Sequence, residues 1–285
     1  MTCCCLINFR LVRGGGPTAN CEPRASPEFI IGRATCRALV GLALLTGTEH
    51  ALAVNAGDYL FTPTVTQGER EIDLYGGTGS SGDKIRAESN AALGFGYGVT
   101  QHWFTELDIE YRWQSPVGTG LDSFEWENII QIGEPGQWPV DIGMVCNIEK
   151  PYEASRNSLR TEGTSIRFGP LLQKDIGKVE ANFNILVTRF FQSSQFSSTQ
   201  FGYQSQIKYR YSRPLEVGVQ AFGRVSSHAQ AWAPYADQVL RVGPVVLGRL
   251  VMPKERSLSY NFALLFGTTA HSPDTTLRFQ AEYEF

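Results

Sequence analysis

The 285-residue sequence predicts an all-β protein, a closed up-and-down transmembrane β-barrel of about 12 antiparallel strands. Three observations carry that expectation. Apolar and polar residues alternate with period two again and again from Gly57 to the C-terminus, and no segment holds a helical period. The connections between these segments are short and long by turns. Aromatic side chains gather at both ends of the apolar faces, as they do at membrane interfaces.

Composition agrees with this class. Charged residues make up 19% of the chain, below the roughly 25% of soluble domains, and aromatics make up 12%. A mean hydropathy of -0.17 excludes a bundle of transmembrane helices but not transmembrane strands, whose two faces average out. The net charge of -3 argues against a nucleic-acid partner.

The elements follow in order. Residues 1–32 carry the triplet Cys3-Cys4-Cys5, a GGGP stretch and no usable periodicity, and are expected to be a disordered extension or a misassigned start. Contiguous cysteines lack the C-x2-C spacing of a zinc site, so no metal is expected there. Residues 33–53 have the layout of a secretory signal peptide. Arg33 and Arg37 precede an apolar run from Ala38 to Leu45, and small residues follow at Ala51 and Ala53. Cleavage after Ala53 or after Ala56 fits equally. Five of the 25 bases and three of the 28 acids precede residue 54, so the exported chain would be net -5.

The barrel domain is expected over 57–285, with strands near 59–76, 85–99, 103–113, 123–132, 139–149, 164–174, 177–190, 201–212, 215–226, 238–251, 257–267 and 275–285. The segment WFTELDIEYRW shows the pattern most cleanly. Trp103, Thr105, Leu107, Ile109, Tyr111 and Trp113 form one face, and Phe104, Glu106, Asp108, Glu110 and Arg112 the other. Short turns on one side and longer loops on the other put both chain ends on the periplasmic side. A large soluble β-sandwich or barrel would need its outer face charged all round, and the aromatic rims oppose that.

The last strand, LRFQAEYEF, places Leu277, Phe279, Ala281, Tyr283 and Phe285 at alternate positions and ends on Phe285. This resembles the C-terminal signal of Gram-negative outer-membrane β-barrel proteins. The resemblance implies that Phe279, Tyr283 and Phe285 are read by the outer-membrane assembly machinery. Through FTPTVTQGEREIDLYGG, LGFGYGVTQHWFTEL, FEWEN and FGPLLQ, nearly all of the mature chain also resembles a group of uncharacterised proteobacterial outer-membrane proteins. That likeness implies location and fold, in contact with outer-membrane lipid, and brings no substrate or catalytic residue.

With the apolar faces turned to lipid, the opposite faces line a lumen whose charges divide by strand. The third to fifth strands supply Glu106, Asp108, Glu110, Glu125, Glu127, Asp141 and Glu149, with Arg112 as counter-charge. The eighth to tenth supply Lys208, Arg210, Arg224, Arg241 and Arg249, with Glu216 as the exception. An acidic wall opposite a basic wall would set a transverse field across a water-filled pore and orient small polar solutes. The leading expectation is therefore a porin-like small-solute channel. The alternative is a plugged barrel with a structural or surface-interaction role, because buried charges prefer partners.

No enzyme activity, cofactor or metal is expected. His228 beside Ser226 and Ser227, and His271 beside Ser272 and Asp274, are loop neighbours rather than an assembled catalytic pair, which leaves an outer-membrane hydrolase as the third reading. Gly94, Gly96 and Gly98 lack the following helix of a dinucleotide fingerprint and read as strand glycines. Glu125 and Glu127, two apart on one face, read as pore lining rather than a glycosidase dyad. Cys146 falls on the lipid face as a small hydrophobe.

Overall fold

The computed structural model describes residues 56–80, 88–114, 118–152, 163–191, 199–228, 231–232, 234–235 and 238–285. The expected extension 1–32 and signal segment 33–53 lie outside the described residues, as do the side chains of Ser226, Ser227 and His228.

Alternation becomes strand in twelve long segments. The strands are β1 (Arg70–Gly79), β2 (Glu88–Thr100), β3 (Trp103–Gln114), β4 (Gly118–Ile132), β5 (Asp141–Pro151), β6 (Ser165–Ile176), β7 (Val179–Phe190), β8 (Thr199–Ser212) and β9 (Leu215–His228). A two-residue piece, β10 (Ala231–Trp232), pairs only with the end of β9. The wall resumes with β11 (Val239–Met252), β12 (Arg256–Gly267) and β13 (Thr275–Glu284). Apart from β10, every strand pairs antiparallel with its neighbours in sequence, and β1 pairs with β13 to close a 12-strand barrel. Closure leaves no unpaired edge, which backbone polar groups at bilayer depth require.

The side chains sort as the alternation dictates. On β3, Glu106, Asp108, Glu110 and Arg112 are buried in the lumen, while Leu107, Ile109, Tyr111 and Trp113 are exposed on the outer surface. Trp103, Tyr209, Tyr211 and Phe285 are exposed at the short-turn end, and Tyr111, Trp113, Phe124 and Trp126 toward the long-loop end. These are the two aromatic rims of a membrane barrel. Short turns close tightly: Gly177 (φ 62°) turns β6 into β7, and Lys254 and Glu255 take φ 66° and 60° between β11 and β12.

One expected strand is different. Residues 59–76 do not form a single stave, because β1 starts only at Arg70. Residues 56–69 instead run extended inside the lumen, from Ala56 against Gly77 near the long-loop end to Thr66 against Gly98 near the short-turn end. Gln67-Gly68 then reverses the chain into β1, with Gly68 at φ 81°, a conformation that needs glycine. The expectation that the chain enters the wall directly from the periplasmic side is thereby corrected. Residues 56–69 lie in the barrel's interior before the chain enters the wall.

Candidate functional site: a lumen occupied by residues 56–69

Extended geometry gives the luminal segment two faces. Tyr59, Phe61 and Val65 turn toward a cluster of luminal apolar side chains, Phe104, Ile129, Val145, Leu171 and Leu186. Phe61 is buried to 2% exposure there. Burying such a ring contributes about 1.5–3 kcal/mol. On the other face Leu60, Thr62, Thr64 and Thr66 line a cavity of about 460 Å³.

A backbone lying free in a lumen must find hydrogen bonds from side chains. It finds them on three strands, and a backbone carbonyl on a fourth. Gln204 of β8 accepts from the Phe61 amide (3.3 Å) and donates to the Tyr59 carbonyl (2.8 Å). Asn184 of β7 donates to the Phe61 carbonyl at 2.9 Å, Gln131 of β4 accepts from the Val65 amide at 2.7 Å, and the Gly68 amide reaches the Gly98 carbonyl of β2 at 2.8 Å.

The charged walls meet the same segment. Glu106, Asp108 and Glu110 on β3 and Glu125 and Glu127 on β4 are all buried, with Glu106 opposite Glu127 and Asp108 opposite Glu125 in register. The Tyr59 hydroxyl donates to Glu127 from the segment. Asn147 of β5 donates to Glu125 at 2.5 Å and to Glu127 at 3.1 Å, and Arg167 of β6 stands 3.6 Å from Glu125. Asp141 stands apart from this wall: its carboxylate accepts from the Gly136 amide and ties the turn before β5.

The basic residues fall into two tiers. In the half nearer the long loops, Arg224 of β9 and Arg241 of β11 both bind the carboxylate of Asp58. At the short-turn end, Lys208 pairs with Glu180 (3.3 Å) and Glu216 (2.9 Å), Arg210 pairs with Asp175 (3.1 Å) and Glu180, and Arg249 pairs with Glu284. That lower tier borders the 460 Å³ cavity, a vestibule open at the periplasmic end. Of the residues taken as an assembly signal, Phe279 and Tyr283 are half-buried and Phe285 is exposed beside the start of β1.

Several members escape a strand-by-strand reading. Tyr59 belongs to a segment taken for a stave and Asp58 directly precedes it, and Asp122 binds Arg112 at 2.8 Å across the β3–β4 pair. Arg278 of β13, 1% exposed, donates to Gln220 (2.7 Å) and Asn261 (3.2 Å) and lies over the Phe222 ring. Its luminal position is legible in LRFQAEYEF, where it alternates with the apolar positions. Glu110, Asp122 and Glu149 lie within 4.8 Å of one another, a spacing that could hold a metal, but the Arg112 guanidinium already sits on Asp122. Ser272, a member of the loop pair with His271, uses its hydroxyl on the Leu240 backbone and beside Thr269.

Three solved barrels of similar form are the NanC porin (TM-score 0.48, 12% identity, 75% of this chain and 98% of that one), LpxR from Salmonella typhimurium (0.41, 10%, 75% and 99%) and the outer-membrane channel DcaP of Acinetobacter baumannii (0.36, 9%, 79% and 100%). No family model and no curated protein sequence matches the chain, so the likeness to a group of uncharacterised proteobacterial proteins has no counterpart there. The expectation that the protein is not an enzyme is corrected by these neighbours. They include LpxR beside a porin and a channel, and at these identities and TM-scores they show the barrel alone and leave the enzyme class open.

Proposed function

We propose that this outer-membrane barrel is closed by its own N-terminal segment, so that its polar interior holds residues 56–69 instead of forming a standing pore. One observation carries the reading. Asp58 engages the basic wall and Tyr59 the acidic wall, so the segment bridges the two groups that would otherwise frame a constriction. The proposal includes export through residues 33–53, recognition of Phe279, Tyr283 and Phe285 by the assembly machinery, and residence in outer-membrane lipid.

The test is planar-bilayer conductance of the refolded mature protein. No steady current above lipid background is expected, and a stable open channel in the unmodified protein would refute the closed reading.

A second reading, gated passage of small polar solutes, is favoured by the way the segment is held. Most of its bonds are polar ones that water can replace, and a charged vestibule already reaches it from the periplasmic side. Under that reading Glu110 and Glu127 set ion selectivity once the segment leaves, and their replacement by Gln alters the selectivity of the opened form.

A further inference from the structure

The glycine string of β2 receives the luminal segment at Gly98 and, further along, shapes the acidic wall. At Gly98 the place of a side chain is taken by the Thr66 carbonyl. At Gly96 it is taken by Glu71 of β1 and Phe104 of β3, and at Gly94 by Glu106 Oε1 and Asp108 Oδ1. Strand β2 is thus a bare floor on which carboxylates from both neighbouring strands converge.

The innermost of these carboxylates lack partners. Asp108 is 1% exposed and neither of its oxygens has a hydrogen bond. Glu106 leaves Oε1, and Asp73 of β1 leaves Oδ1, in the same state at 4% exposure each. Among the described residues no ion pair reaches any of the three. Uncompensated carboxylates at this depth are costly, so Glu106 and Asp108 call for a positive charge with which no described residue pairs them. The donors on offer are all carboxylate oxygens, which suit a hard divalent cation. An access route exists, because Glu71, over the next glycine, lines the vestibule together with Glu69 and Glu282. Carboxylates therefore continue from the periplasmic opening to the buried pair.

We propose that Glu106 and Asp108, whose carboxylates converge over Gly94, form a Ca²⁺ or Mg²⁺ site whose remaining ligands are water, fed from the periplasmic vestibule. The site does not depend on whether residues 56–69 ever leave the lumen, so it stands or falls independently of the closed-barrel reading.

The test uses the refolded mature protein in detergent micelles, stripped with EDTA and dialysed against radioactive Ca²⁺. About one ion per chain is expected, together with a rise in the heat-unfolding midpoint that NaCl of equal ionic strength does not reproduce. The Glu106→Gln/Asp108→Asn double variant should bind at least tenfold more weakly, and should it fail to refold, Asp108→Asn alone must show the loss. Glu110→Gln, at the Arg112-filled cluster, should keep the ion. Absence of bound Ca²⁺ and Mg²⁺, with the midpoint rising only on acidification, would show that protons neutralise these carboxyls and would overturn the proposal. Binding that survives Asp108→Asn but is lost in Glu110→Gln would overturn it too, by placing the ion elsewhere.

Discussion

Replacing Phe61 with Ala should unseat the luminal segment while leaving the wall intact. The ring is 2% exposed and packs among Phe104, Ile129, Val145, Leu171 and Leu186. Truncating a buried Phe to Ala costs about 3–5 kcal/mol, made up of lost transfer energy and an unfilled cavity. The strand ladders close without Phe61, so this cost should fall on docking of the segment rather than on the barrel. At about 1.4 kcal/mol per tenfold, the population with the segment released rises roughly several hundredfold. Hydrogen exchange read by mass spectrometry on peptides covering 57–68 reports that population directly, since the Phe61 and Val65 amides bond to the Gln204 and Gln131 side chains and not to a strand ladder. Faster exchange in these peptides by that factor, with the strands unchanged, is the expected result. Unchanged protection at Phe61 and Val65, together with a lower midpoint for the whole barrel, would refute the reasoning. The ring would then be supporting the wall and not the plug.

Two further outcomes follow from the segment's charged contacts. Asp58→Asn leaves Arg224 and Arg241 facing each other without their shared carboxylate, at a cost on the order of 3 kcal/mol; bursts of current should appear in bilayers where the parent protein is silent, and a silent variant would show that the ion pair does not hold the lumen shut. Glu69, in the periplasmic turn before β1, has its carboxyl raised to about 7 by burial and by neighbouring Glu284. The folded protein therefore holds this proton more tightly than the unfolded chain does. Its contribution to stability is present in full below the unfolded pKa of 4.5 and is lost as pH rises to about 7. Glu69→Gln should narrow the difference between the heat-unfolding midpoints at acid and mildly alkaline pH, and an unaltered difference would show that other groups set the slope.

The wall was legible because its chemistry is written every second residue. Segments such as Trp103 to Trp113 and Leu277 to Phe285 announce which side meets lipid, and the structure turns Leu107 and Leu277 outward and Asp108 and Arg278 inward accordingly. The luminal segment defeated the same logic. Tyr59, Phe61 and Val65 alternate with Leu60, Thr62, Thr64 and Thr66 and continue smoothly into β1, so 59–76 reads as one strand. Period two marks an extended chain with two environments, and here those environments are an apolar cluster and a vestibule rather than lipid and lumen. Two local signals did point the other way. Pro63 cannot donate to a ladder, and Gln67-Gly68 can reverse the chain. The opposition of the walls follows from strand order. What fills the space between them does not, because it depends on contacts such as Asp58 with Arg241, 183 residues apart.

A tether explains why the filling should come from this end of the chain. Residues 56–69 join β1 through one tight turn, so the segment cannot diffuse away, and its effective concentration at the lumen is that of a short linker, on the order of millimolar. Weak, replaceable polar bonds are then sufficient to keep it docked, where a separate peptide would need many more. The two walls divide the remaining work. Asp58 sets its carboxylate against both Arg224 and Arg241, and Tyr59 gives its hydroxyl to Glu127, so docking engages unlike charges on opposite sides at once. A single neutral strand could satisfy one wall only. The acidic and basic faces are therefore better explained as two halves of a socket for this segment than as electrodes of an open pore, and the carboxylates left over, Glu106 and Asp108, are the ones the segment does not reach.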